Sequence, residues 1–246
     1  VAHGMISAPS AFPLSREGGP GTETITYHQE EDVGRAKLIA DYATDIPCVN
    51  SKASEFDTKV KSLAVCAKWS VQEIRAAAMA RRNLRGSLAR AARKAMIRTE
   101  NSLAWFGDSN AGIRGLLDGT HGIPTSGAGA AWSGASASAI LADLNDCSNA
   151  PSTATLGNWT ANKVLLPLSE FNRIATTNSG FGTDKTILAS FVENSPYISS
   201  MTDVVGVQEL EDIDGAGTKA MVCYRQDPDV LRMETPLDLE QFAPQE

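Results

Sequence analysis

Aromatic residues are scarce in this 246-residue sequence, at 6%, and histidine occurs three times, at positions 3, 28 and 121. Histidines so few and so scattered argue against a metal cluster or a catalytic relay built on imidazole. No apolar run approaches the roughly 18–20 residues that a membrane-spanning helix needs. Residues 1–10 lack the basic start and apolar stretch of a secretory signal. The chain opens on Val1 and not on Met, which reads as a removed leader or as an ordered part that starts late. Positive charge is not in excess either. Lys and Arg number 22 against 29 Asp and Glu, for a net charge of −7, which argues against a dedicated nucleic-acid binder. The four cysteines, at 48, 66, 147 and 223, match no zinc or redox spacing. Cys66 and Cys223 have apolar neighbours, so the expectation is buried free thiols in a reducing compartment. The sequon Asn158-Trp159-Thr160 is read as chance, since nothing else suggests secretion.

What is present is a globular composition, with 42% hydrophobic and 21% charged residues, and a chain long enough to bury a core. The charge is unevenly placed. Lys68, Arg75, Arg81, Arg82, Arg85, Arg90, Arg93, Lys94 and Arg98 are interrupted by one acid, Glu73, so this segment is +8 and the remainder −15.

Residues 1–22 carry Pro9, Pro13 and Pro20 with Gly4, Gly18, Gly19 and Gly21, and read as an extended arm. Thr24-Ile25-Thr26-Tyr27 starts a short strand of β-formers. Residues 57–69 are expected to form a second strand, with Leu63, Val65, Ala67 and Trp69 on one face. A mixed stretch between them, 32–54, holds the turn Asp45-Ile46-Pro47 and the charge run Glu30-Glu31-Asp32 lies just ahead, giving a long hairpin with an elaborated tip.

The strongest local signal follows. Ser70-Val71-Gln72-Glu73 is a capping box. Ile74, Ala77, Leu84, Leu88, Ala91 and Ala95 then form one apolar stripe, interrupted by Arg81. These predict one helix over 71–106, about 54 Å long, with Gly86 as its weak point. Residues 107–135 read as loop, with eight glycines. The rest is α+β: a helix over 137–145, a buried strand Lys163-Val164-Leu165-Leu166, a helix opened by Pro167 and running to Ile174, and a helix over 186–193. Strands over 204–210 and 220–224 are expected to pair around Asp214-Gly215. No internal repeat is visible.

Several motifs invite chemistry and fall short of it. Gly107-Asp108-Ser109 resembles the nucleophile block of a lipase-like serine hydrolase, but a long helix precedes Ser109 and no histidine follows position 121. Gly180-Phe181-Gly182-Thr183-Asp184-Lys185-Thr186 resembles a phosphate loop, yet Asp184 stands where glycine is required. His121 stands alone. Glu209, Glu211, Asp212 and Asp214 could hold a hard cation, but read as a solvated hairpin tip. No catalytic residue, metal or cofactor is expected.

Three stretches carry a family resemblance: Lys61-Ser62-Leu63-Ala64-Val65; Trp69-Ser70-Val71-Gln72-Glu73-Ile74-Arg75-Ala76-Ala77; and Gly107-Asp108-Ser109-Asn110-Ala111-Gly112-Ile113-Arg114-Gly115-Leu116-Leu117. With the ending Pro236-Leu237-Asp238-Leu239-Glu240-Gln241-Phe242-Ala243-Pro244-Gln245, they resemble a major capsid protein family of tailed bacteriophages with the Hong Kong ninety-seven type fold. The resemblance covers about residues 20–246. It implies an α+β capsid fold divided into an N-terminal arm (1–22), an extended β-loop (23–69), a peripheral domain with a spine helix (70–129), an axial domain (130–235) and a return segment (236–246). It implies a structural subunit that self-assembles as pentamers and hexamers into an icosahedral head enclosing double-stranded DNA. Packaged DNA would be met without sequence specificity, portal, scaffold and decoration proteins would be further partners, and no membrane is involved. Assembly would take place in the host bacterial cytoplasm. Arg75, Arg82, Arg85, Arg93 and Lys94 would then face DNA or neighbouring subunits. The family leads one to expect a further strand after Pro244-Gln245, before which the chain stops. Covalent crosslinking is not carried over, since no matching Lys and Asn pair is found. The alternatives are an encapsulin-like nanocompartment shell of the same fold and, far behind, a small serine hydrolase using Ser109.

Overall fold

Five consecutive residues with apolar side chains on both faces need cover on both sides, and Lys163–Pro167 (β4) receives it: all but Lys163 are buried. In the computed structural model, which describes residues 7–38, 46–118, 125–127, 131–180, 182 and 184–242, β4 is the centre of a three-stranded sheet. Val204–Val207 (β5) runs parallel to it on one side and Val222–Tyr224 (β6) antiparallel on the other. Val164 and Leu166 point into a cluster with Ile140 and Leu144 of helix α4 (Ala137–Ala154), Ile174 of α5 (Leu168–Thr176), and Ile187, Leu188 and Phe191 of α6 (Ile187–Asn194). Leu165 points the other way, into a second cluster with Trp105, Val207, Leu210, Ala8, Ala11 and Phe12. The period-two alternation of a strand thus joins two cores through one element.

The expected pairing of the two late strands does not occur. β5 and β6 each bond to β4 and not to one another, because β4 has two open edges and only a central strand buries its apolar residues on both faces. The loop between them uses its acids for turns: Asp214 accepts from the amides of Ala216 (2.9 Å) and Thr218 (3.2 Å), and Asp212 from that of Gly217 (2.9 Å). Helix α4 outruns its expected end at Asn145 and passes through Pro151. Its C-terminal turn closes with Leu156 in the left-handed region (φ 53) and the Gly157 amide on the Ser152 carbonyl at 2.8 Å.

The arm is extended only in part. Pro9 is tolerated at the start of a helix, and Ala8–Ala11 (α1) forms one. Its small buried faces and Phe12 lie against Trp105, whose ring meets Phe12 at 5.1 Å, edge to face. Leu14–Ser15 (β1) then pairs in parallel with Met233–Glu234 (β7). Residues 7–15 therefore pack on their own chain, where 1–22 were expected to form an extended arm. Arg16 reaches Asp238 at 2.8 Å.

The hairpin is longer and differently placed than expected. Thr24–Val33 (β2) pairs antiparallel with Asn50–Lys59 (β3) over ten residues each, so the acidic run Glu30-Glu31-Asp32 lies within a strand. Residues 60–69 form no strand. After the Val60 amide bonds to Glu23, Pro20 and Gly21 leave the opposite chain no further ladder to offer. Of the tip turn, Asp45 lies outside the described residues.

The capping box is formed. The Ser70 amide donates to Glu73 at 2.7 Å and the Glu73 amide to the Ser70 hydroxyl at 3.1 Å. The single helix over 71–106 is not. Val71–Met79 (α2) ends in a C-terminal cap, with the Arg82 amide on the Ala77 carbonyl (2.9 Å) and the Arg81 amide on that of Ala78 (3.2 Å). Arg81 occupies the left-handed position, φ 51, where glycine is the usual residue. Asn83 then caps Leu84–Phe106 (α3), accepting from the Gly86 amide at 2.9 Å. Gly86 is thus part of a new helix start and not the weak centre of an old one. A Cβ there would meet the Asn83 amide group at 2.9 Å.

Candidate functional site

The basic helices and the β2–β3 ribbon share one property: among the described residues, few of their side chains are buried. No residue of α2 is buried, and α3 buries only Asn101 and Trp105, near its C-terminal end. Of the apolar stripe, Ile74 is 38% exposed. Arg75, Arg82, Arg85, Arg93 and Lys94 are all exposed. Arg85 lies over the Trp69 ring, 6.0 Å from its centroid, and none of the five has an ion pair with an acid among the described residues. A stretch this basic repels itself unless acids or phosphates are brought to it.

The ribbon has the opposite sign. Directly paired residues share a face, so Thr24, Thr26, His28, Glu30 and Asp32 lie with Lys59, Asp57, Glu55, Ala53 and Ser51. That face carries four acids against one lysine. Asp57 accepts from the Thr26 hydroxyl at 2.6 Å, and Glu55 is 3.6 Å from His28. The other face holds the stacked rings of Tyr27 and Phe56, 5.4 Å apart. Apart from Ile25, which is half-buried, every residue of both strands is exposed. A two-stranded ribbon in water is marginal by itself, and this ten-residue ladder has no buried residue on either face among the described residues.

The end of α3 is rigid by contrast. Trp105 donates its indole N–H to the Ser7 hydroxyl (2.9 Å), which donates to Glu209 (2.7 Å). Asn101 accepts from the amides of Ser7 (3.0 Å) and Ala8 (2.8 Å), satisfying the open start of α1, and donates to Glu209. Then Gly107, with φ 68, turns the chain so that the Leu116 and Leu117 amides bond back to Ala104 and Trp105. Glu209, read from sequence as part of a solvated acidic tip, is a structural clamp. Its signal, one acid distant from Asn101 by 108 positions, has no sequence pattern.

Glu211 departs from the same expectation. It accepts from the amide and hydroxyl of Ser169 and lies 3.4 Å from Lys219, which is 2.8 Å from Glu170. Burial would raise the Glu170 carboxyl, but hydrogen bonds from Lys219 and Arg173 outweigh it and hold it below its usual range. Glu211 is likewise held down, its Ser169 and Lys219 bonds outweighing burial.

Ser109 is exposed in the turn after α3, where Asp108 accepts from the Asn110 amide (2.9 Å). His28 lies on the ribbon, and His3 and His121 lie outside the described residues. Thr186 caps α6, accepting from the Ala189 amide at 3.3 Å, and Lys185 pairs with Glu193 at 2.7 Å, so the phosphate-loop look-alike is a helix start. Phe181 and Thr183 of that stretch lie outside the described residues. Among the described residues no three His, Cys, Asp or Glu side chains could hold a metal ion. No helix among them is long and apolar enough to cross a membrane.

Cys147 and Cys223 form a disulfide, while Cys48 and Cys66 are free and exposed. The expectation of four buried free thiols therefore fails for every one of them. The pair is 76 residues apart in sequence, a spacing no motif records.

No curated protein matches this chain. Among solved structures it is similar to "The capsid of Myoviridae Phage XM1", with 18% sequence identity and a TM-score of 0.81, over 96% of this chain and 80% of that one. The α+β fold is thus related to the Hong Kong ninety-seven type of capsid protein. A family model described as "Major capsid protein" matches residues 34–246, and the chain belongs to that family: it is a structural protein of a viral capsid.

Proposed function

We propose that this subunit self-assembles, as pentamers and hexamers, into the icosahedral head of a tailed bacteriophage that encloses double-stranded DNA. The observation that carries the reading is the β2–β3 ribbon, twenty paired residues none of which is buried. The extended β-loop (23–69) lies across a neighbouring subunit, and its acidic face is drawn to basic helices of that neighbour. Residues 70–129 form the peripheral domain, 130–235 the axial domain around the symmetry centres, and 236–246 the segment returning to the peripheral domain. Arg75, Arg82, Arg85, Arg93 and Lys94 meet adjacent subunits or the phosphates of packaged DNA, without reading sequence. Portal, scaffold and decoration proteins are further partners, and the subunit assembles in the host bacterial cytoplasm.

Gel filtration and negative-stain microscopy of full-length protein test the reading. Oligomers and closed shells are expected. A monomer that stays monomeric under every assembly condition contradicts it.

A further inference from the structure

Two half-buried cysteines stand on elements that meet only in the folded chain. Cys147 is on α4 and Cys223 on β6, with Cα atoms 5.8 Å apart, a separation suited to a disulfide. The stretch between them contains β4, α5, α6 and β5, which is most of the first hydrophobic cluster. β6 has three residues and one neighbouring strand, β4. It also holds the N-terminal segment, since the Tyr224 hydroxyl donates to the Ala11 carbonyl at 2.5 Å and the Gln226 side chain to that of Ser10 at 3.1 Å. A bond from Cys147 to Cys223 therefore ties the helical layer to the strand that secures α1.

We propose that Cys147 and Cys223 are a redox-timed staple: a dithiol while the subunit folds and assembles, and a disulfide once the particle leaves the cell. The timing rests on the proposed assembly in a bacterial cytoplasm, where thiols are kept reduced. The two elements meet through packing as well as through the bond: α4 lies against β6, Leu144 of α4 is part of the first cluster, and Cys223 packs against that cluster. Outside, a low-molecular-weight disulfide such as oxidised glutathione is a sufficient oxidant. The thiolate of one cysteine attacks it and releases one reduced glutathione. The second thiolate then attacks the mixed disulfide and releases another. Two protons and two electrons pass from the protein thiols to the two glutathione thiols. The closed loop restricts the unfolded chain, which stabilises the folded subunit.

The test uses full-length protein in expressing bacteria. Cells lysed directly into N-ethylmaleimide are expected to yield Cys147 and Cys223 both alkylated, with Cys48 and Cys66 alkylated as controls. After incubation with oxidised glutathione, peptide mapping is expected to find 147 joined to 223. The melting midpoint should rise by roughly 5–15 °C and fall back with dithiothreitol. C147S and C223S should melt alike in both redox states, and if either fails to fold the wild-type comparison stands alone. A pair already joined in the immediate trap overturns the timing. A pair still alkylated after oxidation, or a midpoint that does not respond, overturns the staple. Micrographs of the same preparations separate the two proposals: absent shells contradict the assembly reading, whereas shells with an unresponsive pair contradict only the staple.

Discussion

Trp105 donates its indole N–H to the hydroxyl of Ser7, 2.9 Å away, across a sequence gap of 98 residues. That bond fixes the N-terminal segment to the end of the long helix, and Asn101 completes it by accepting two amides. Asn101→Ala would strand both donors in a buried place. The expected cost is about 2–3 kcal/mol, read by denaturant unfolding of the unassembled subunit. Ser7→Ala and the double variant should show strong non-additivity, because both side chains belong to one network. Additive effects would contradict that.

The Glu170–Lys219–Glu211 cluster predicts an acid-sensitive fold. Both carboxyls are held below their ordinary value of 4.5. Their contribution is therefore fully present above that value and is lost as pH falls through the lower folded values. Lys219 is raised above 10.5, so its share holds below that value and is lost as pH rises past its folded one. Lys219→Met should cost about 1 kcal/mol at neutral pH, discounted for a side chain in partial contact with water. The difference from the parent should shrink toward pH 3. Unfolding midpoints measured across pH 3–8 check both points.

The helix break makes a local prediction. Arg81 sits in the left-handed region, where a side chain costs roughly 1–2 kcal/mol and glycine little. Glycine gives part of this back through the freedom of its unfolded chain. Arg81→Gly should therefore stabilise by about 0.5 kcal/mol, and Arg81→Val should destabilise. A continuous helix would respond in the opposite way to the glycine.

Gly107 and Gly115 cross backbone to backbone. A Cβ at Gly107 would meet the Ile113 carbonyl oxygen at 2.5 Å, in a left-handed conformation that already disfavours side chains. Gly107→Ala should cost about 2–3 kcal/mol, measured by thermal unfolding. Gly112→Ala, with open space at its Cβ, carries the conformational strain alone and should cost less.

The basic face predicts a salt signature. The triple variant Arg82→Gln, Arg85→Gln and Arg93→Gln should weaken subunit association or genome retention. The deficit should be greatest at low salt and fade as screening shortens the reach of charge. Assembly and packaging indistinguishable from the parent at every salt concentration would reduce these arginines to a solvated face.

Much of this was legible because it is local. β4 announces itself by Val164, Leu165 and Leu166 in a row, and α2 by Ser70 and Glu73. What was not legible depends on partners far away. The α2–α3 break follows from Arg81 in a conformation that sequence statistics assign to glycine, and the capping role of Asn83 is hidden inside an apolar period that continues past it. The burial of α1 depends on Trp105, and two alanines give no periodic signal. β5 and β6 look like a hairpin because the loop between them is rich in turn residues, yet the open edges of β4 decide their pairing. Arg75, Arg82, Arg85, Arg93 and Lys94 were singled out by charge density and by the family resemblance, and the acidic face opposite in sign emerged only from the ribbon register.

The central claim is that the chain is a shell subunit whose uncovered ribbon and basic helices are covered by copies of itself. The most direct measurement is cryo-electron microscopy of full-length protein after assembly. The account predicts closed icosahedral particles in which the β2–β3 ribbon of one subunit lies on its neighbour. A homogeneous monomer with the ribbon in solvent, under every assembly condition, would contradict it.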